Sequence, residues 1–296
     1  MPIHAEKFTR RQALQYLSAT AIGGAAYAAH AGTADRFPVW EISLRHGRVY
    51  LLGHTPPRAE DWKDERVEGL LRGCGRLWNE TNHRQKADEQ DLMQRYGIAH
   101  GRDLQSSLDA GQRARLAAAA KAVGAPLASL SPFRPWLAAQ ALEGALFSAP
   151  PFNKRNADQV LVARAQSLSI PVSSEFPTLA DSARWLAQLS PAAETQYLMY
   201  ITDEVSMGAK RGQRIYAAWD RGNAAPATAW MARMAQRYPE LYREMAVQRN
   251  KRWVPRVRTM LDGDRPSMIV VGLYHLVGPD RMQVHLADNG FRVRQI

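Results

Sequence analysis

The stretch SMIVVGLYHLVGPDRMQVHLAD, residues 267–288, decides how this chain folds. Met268, Ile269, Val270 and Val271 form an apolar run rich in β-branched side chains, which suits a short strand covered on both faces. Gly272 ends the run, and Gly278 with Pro279 ends the segment after it. Between the glycines His275 stands among Leu273, Tyr274, Leu276 and Val277, as an ionisable ring at the end of a buried strand. Helical spacing follows in PDRMQVHLAD, with Asn289-Gly290 as a C-terminal stop, and RVRQI closes the chain as a last strand. Strand, turn and helix in succession are the unit of a parallel sheet.

Working outward, the same alternation recurs. RVYLLG (48–53) reads as a strand ending at Gly53, and TPPRAEDWKDERVEGLLRG (55–73) as a helix with prolines and carboxylates in its first turns. CGRLWNE (74–80) reads as a second strand, ending at Glu80. A long helical middle includes QRARLAAAAKAV (112–123) and PWLAAQALEGALF (135–147). A further helix is predicted to be capped near Asn156, before the strand IPVSSE (170–175). Further helices fill roughly 178–250. The expected fold is α/β, with a mostly parallel or mixed sheet of N- and C-terminal strands around a helical middle section. One domain is expected over residues 35–296, because prolines and glycines fall between elements rather than in a linker.

The first residues read as a targeting segment. Arg10-Arg11 precede an Ala- and Gly-rich, moderately apolar run and the small-residue endings Ala29-His30-Ala31 and Gly32-Thr33-Ala34. Such a plan predicts a twin-arginine-type signal over residues 1–34 and a periplasmic or otherwise extracytoplasmic mature protein without an integral membrane span. The net charge is +11, from 39 Lys+Arg and 28 Asp+Glu, but no basic block of five or more occurs. A dispersed excess suits anionic envelope surfaces and argues against nucleic acid as a partner. Cys74 is the one cysteine, so no disulfide framework is available. Its setting predicts a small buried residue rather than a nucleophile.

Four polar residues fall at carboxyl ends of predicted strands: His54, Glu80, Glu175 and His275. Ligands of open α/β sheets gather there. Two imidazoles and two carboxylates could hold a divalent cation and use it to activate water. Taken singly, each has a plainer reading as a satisfied core histidine, a helix cap or an ion-pair partner. Arg249 at a helix end could pair with Glu80 or Glu175, and His83 is a spare donor. The aromatic series Trp219, Trp230, Tyr238, Tyr242 and Trp253 reads as helix packing, with lining of a cleft above the strand ends as the alternative. No C-x-x-C, H-E-x-x-H or G-x-S-x-G occurs.

RVYLLGHTPP, RLWNE, NADQVLVARAQSLSIPVSSEF, QRNKRW and the C-terminal SMIVVGLYHLVGPDRMQVHLADNGFRVRQI, in that order, resemble the landmarks of the TraB/GumN family, related to the Tiki-type proteases. The resemblance runs from about residue 38 to the end. It implies two G-x-x-H motifs, characteristic glutamates and an Arg-Asn pair. Gly272 and His275 match the second motif, Glu80 and Glu175 the glutamates, and Arg249 and Asn250 the pair. The first motif departs: three residues on from Gly53 stands Pro56, and the only imidazole nearby is His54. In an extended chain that displacement is roughly 6–7 Å, so a metal site could be weakened. Gly53, Gly272, Gly278 and Asn250 are expected to shape the turns.

Taken with the strand-end residues, the resemblance implies a metal-dependent hydrolase, of peptidase type, acting on a peptide or envelope-associated substrate. His54, Glu80 and His275 would hold Mn, Co or Zn, and Glu80, Glu175, His275 and Arg249 would form the catalytic group. The alternative is a non-catalytic envelope protein that binds a ligand or partner through the same crevice.

Overall fold

A computed structural model describes residues 36–81, 89–148 and 152–296. Its six strands are β1 (Val39–Leu44), β2 (Gly47–His54), β3 (Arg76–Thr81), β4 (Val172–Phe176), β5 (Ser267–Gly272) and β6 (Arg292–Gln295). They form one sheet in the order β4-β3-β5-β2-β1-β6. β4, β3, β5 and β2 run parallel, while β1 is antiparallel to both β2 and β6. The fold is α/β with a mixed sheet and a helical middle section that contributes β4.

Every residue of β5 is buried, as its unbroken apolar run requires of a central strand. At one edge, β6 exposes Arg292 and carries Arg294 paired with Glu41, charges that discourage further strand pairing. β1 was not anticipated from sequence. Its hairpin to β2 turns through Arg45 at φ 54° instead of through an Asn-Gly or Asp-Gly pair. The turn's following residue, Gly47, approaches Leu261 so closely that a Cβ would collide with the Leu261 backbone.

The helix expected from residue 55 begins instead at Glu65 and runs to Gly73, with the Asp64 carboxylate accepting the Val67 N–H at 3.0 Å. The preceding segment is tied to another part of the chain. Arg58 exchanges backbone hydrogen bonds with Lys154 at 3.1 and 2.9 Å, and Trp62 donates to the Arg155 carbonyl at 3.0 Å. The Trp62 ring packs edge-on against Phe37. Pairing across 90-odd residues thus overrides the local helical pattern.

Other helices follow their sequence signals. Asn156 caps Ala157–Ser167 with a reciprocal Gln159 bond. Pro135–Ser148 is buried around nearly its whole circumference and packs on Pro191–Met207. Asn289 ends Met282–Asp288, followed by Gly290 at φ 82°.

Candidate functional site

The parallel strands deliver their carboxyl ends to one side of the sheet. His54 is the last residue of β2, and Glu80 and Glu175 are the penultimate residues of β3 and β4. His275 lies three residues beyond the end of β5, on the short 3-10 turn Leu273–Leu276 rather than on the strand. His54 and His275 converge on Glu80, and Glu175 joins them through Arg249, so the hub is Glu80. Its Oε1 lies 3.8 Å from His54 Nε2 and its Oε2 lies 3.6 Å from His275 Nε2. Because β5 separates β3 from β2, the Glu80 carboxylate must reach across the end of β5. It does so by accepting the Gly272 N–H on Oε1 at 2.5 Å.

Arg249 comes from the helix Gln248–Leu261, directly after the wider π-helical turn Arg243–Val247. Its Nη2 donates to Glu80 Oε2 and to Glu175 Oε2, each at 2.5 Å, and its Nε donates to Glu175 Oε2 at 3.0 Å. The guanidinium lies over Trp253, Trp185 and Phe176 at 5.0–5.5 Å, an arrangement for which its planar, weakly hydrated head is suited. Burial would raise the Glu80 carboxyl, but the positive field of Arg249, helped by His275 and His54, holds it well below the usual carboxylate range. Burial alone would lower Arg249; Glu175 and Glu80 instead push it upward.

The tautomer of His275 follows from its neighbours. Asn250 Nδ2 donates to the carbonyls of His275 and Asp280, at 3.3 and 2.7 Å. Its Oδ1 therefore faces His275 Nδ1, at 2.7 Å, and Nδ1 carries the proton. In the neutral ring Nε2 is then a bare acceptor, fully buried, without a hydrogen-bond partner and directed at a carboxylate. Burial lowers the pKa of His275, opposed by Glu80, so the neutral form is favoured. His54 is less constrained. Its Nδ1 lies 3.1 Å from the Thr55 carbonyl and 3.3 Å from Asn156 Nδ2, an acceptor and a donor.

The glycines act mainly by close approach. Gly53 lies inside β2, and a Cβ there would sit 2.7 Å from Leu273 Cα and 2.8 Å from the Trp219 ring, whose Nε1 donates to the Gly53 carbonyl. Gly272 has φ −56°, so no left-handed turn is needed; a Cβ would strike the Tyr274 ring. Gly278, at φ 83°, is the one of the three that turns the chain in the left-handed region.

Several contributors carry no specific site role in the sequence. Trp253 packs on the His275 ring at 4.4 Å between centroids. Asn156, read only as a helix cap, also donates to the Thr55 carbonyl beside His54. A small cavity of about 20 Å³, room for about one water, lies beside Glu80 and Arg249 and is lined also by Gln140 and Tyr197, which are hydrogen-bonded to each other. Trp253 and Asn156 lie within landmark stretches, but their part in the site is set by position in the fold. Cys74 is buried, donates to the Leu70 carbonyl at 3.3 Å and is pushed up to about 12 by burial, so it is no thiolate nucleophile. His83 and the signal segment lie outside the described residues.

Comparison with family models matches residues 38–295 to the TraB/PrgY/gumN family. No curated protein and no solved structure matches the chain.

Proposed function

The chain belongs to the TraB/PrgY/gumN family, and from that premise we propose that it is a metal-dependent hydrolase of peptidase type, exported by the segment within residues 1–34. The observation that carries the reading is the buried, unpartnered His275 Nε2 facing Glu80. A lone pair held against a carboxylate without a shared proton is unfavourable, and a cation between the two relieves it. His275, Glu80 and His54 form an imidazole and carboxylate donor set that suits Mn, Co or Zn. No cluster of three or more such groups already gathered for an ion occurs among the described residues, so the reading requires a small inward adjustment of His54.

A bound divalent ion would supply a Lewis acid and an acidified water. The chain's own residues do the rest. Asn250 holds His275 in the tautomer that presents Nε2. Arg249 fixes Glu80 and Glu175 relative to each other and counters their charge. Glu175, whose Oε1 lies outside the Arg249 contacts, takes the proton of the attacking water. Among the described residues no helix is long and apolar enough to cross a membrane.

Elemental analysis of the purified mature protein after dialysis against Mn, Co and Zn tests the reading, with His275→Ala alongside. Near-stoichiometric metal in the wild type alone, with turnover of a peptide library, is the expected result. A folded wild type that takes up no metal and cleaves nothing would overturn it and leave a ligand-binding envelope protein.

A further inference from the structure

The positive charge of this chain is dispersed along the sequence, but the helix Gln248–Leu261 gathers part of it onto one face. That helix carries Arg249, Lys251, Arg252, Arg256 and Arg258 and no Asp or Glu. Arg249 is buried, on the same side as Asn250, Trp253, Val254 and Val257. At about 100° per residue the opposite arc takes Lys251, Arg252, Pro255, Arg256, Arg258 and Thr259. Each of these is exposed.

Other exposed arginines are matched by carboxylates: Arg95 by Asp91, Arg155 by Asp61, Arg184 by Asp181, Arg237 by Asp203 and Arg243 by Glu240. Lys251, Arg252 and Arg256 have no such partner among the described residues. Arg258 is held at the edge of the face, donating to the Asn289 carbonyl at 3.2 Å and lying over the Phe291 ring. Asp262 and Asp264 follow the helix, and Asp288 precedes the Asn289 that Arg258 touches. Carboxylates thus border the C-terminal end of the face and leave its first two turns purely cationic. Like charges gathered in this way repel one another, and an anionic partner turns that repulsion into attraction.

The shape and chemistry of the face select the partner. A helix surface is convex, and this one carries no aromatic ring, so it lacks the groove and stacking platforms that hold single strands of nucleic acid. It also lacks the large apolar side chains with which an interfacial helix enters the acyl layer. A layer of anionic headgroups needs neither and complements an extended row of cations.

We propose that the outer face of the helix Gln248–Leu261 docks on an anionic lipid surface, with Lys251, Arg252 and Arg256 against the headgroup phosphates. Arg249 and Asn250 occupy the inner face of the same turns, so docking holds the candidate site about one helix diameter, ~10 Å, from the lipid. The proposal does not rest on the hydrolase reading.

The test sediments the purified mature protein with vesicles of phosphatidylcholine alone and of equal parts phosphatidylcholine and phosphatidylglycerol. Binding is expected only to the mixed vesicles, at about 0.1 M KCl, and should be lost at about 1 M, where screening is nearly complete. The triple variant Lys251→Gln, Arg252→Gln, Arg256→Gln should bind about 100-fold more weakly, at about fivefold per cation. A second triple variant, Lys210→Gln, Arg214→Gln, Arg221→Gln, removes as many exposed cations from the region of the helix Ala209–Asp220. It should lose less than about fivefold. All six positions are exposed, so both variants should melt like the wild type. Equal losses in the two variants would overturn the proposal, because net charge rather than this face would then govern binding. Failure to bind the mixed vesicles at about 0.1 M KCl would overturn it as well; dextran sulfate held through Lys251, Arg252 and Arg256 would then reassign the face to a soluble polyanion.

Discussion

Glu80 and Glu204 are carboxylates enclosed by protein, yet they respond to enclosure in opposite ways. Glu80 accepts from Arg249 and from the Gly272 N–H and is held well below the usual range. Glu204 accepts one indole N–H among aromatic side chains and is raised to about 7. Burial acts on both in the same direction; what differs is whether the fold supplies a fixed positive partner within contact distance. Glu80 belongs to a cluster in which one guanidinium is shared between two carboxylates, so its own charge is compensated while the cluster keeps a negative excess. At Glu204 the positive fields of Arg211 and Arg233 do not outweigh burial, which keeps its proton bound up to a higher pH.

Breaking the Glu80 cluster should have the largest effect. Arg249→Ala leaves the buried Glu80 and the half-buried Glu175 without their partner and should cost about 3–5 kcal/mol in urea denaturation. Adding Glu80→Gln to that variant should recover part of the loss, since one buried charge is then gone.

The pH dependence of stability should sharpen the contrast. A carboxyl raised in the folded state binds a proton there that the unfolded chain has already released. The contribution of Glu204 is therefore full below the ordinary value near 4.5 and lost as pH rises through about 7. Glu204→Gln should remove that loss and stabilise the protein at pH 8 by at most about 3 kcal/mol relative to wild type. For Glu80 the sign reverses: its contribution is present above the usual carboxylate range and disappears on acidification. Melting profiles from pH 4 to 8 should accordingly diverge in opposite senses for Glu80→Gln and Glu204→Gln.

Asn250→Ala should act more mildly, releasing the tautomer of His275 without removing a charge. Loss of an outer hydrogen-bond partner of this kind typically lowers metal affinity about 10- to 100-fold. The ¹⁵N shifts of the His275 ring should show a protonated Nδ1 in the wild type and a mixture in the variant. Cys74 gives the smallest effect and a case in which burial outweighs the nearby charge of Arg265. With its thiol pushed up to about 12, it should resist alkylation at pH 8 in the native protein and react only in denaturant.

Much of this site could be read along the chain. His54, Glu80, Glu175 and His275 were placed at strand ends by apolar runs that stop at glycine or at a polar residue, and parallel strands bring such ends together. What could not be read was how the displaced His54 would reach its partners. β2 continues one residue past Gly53, pairing His54 with Gly272 of β5. Glu80 then spans the end of β5 to meet it. The helix beginning at Glu65 instead of residue 55 has the same origin, because contacts with Lys154 and Arg155 outweigh local helical spacing.

The sequence by itself determined the α/β class, the central strand β5, the cap at Asn156 and the residues that could form a polar crevice. These depend on periodicity, β-branching and turn chemistry, all properties of neighbours along the chain. Tertiary structure alone decided that Arg249 would bind Glu80 and Glu175 together, across 169 and 74 residues. It also fixed the His275 tautomer through Asn250 and left Glu204 among aromatic faces. Protonation and pairing depend on distance and on the exclusion of water, and those quantities exist only once distant segments have packed.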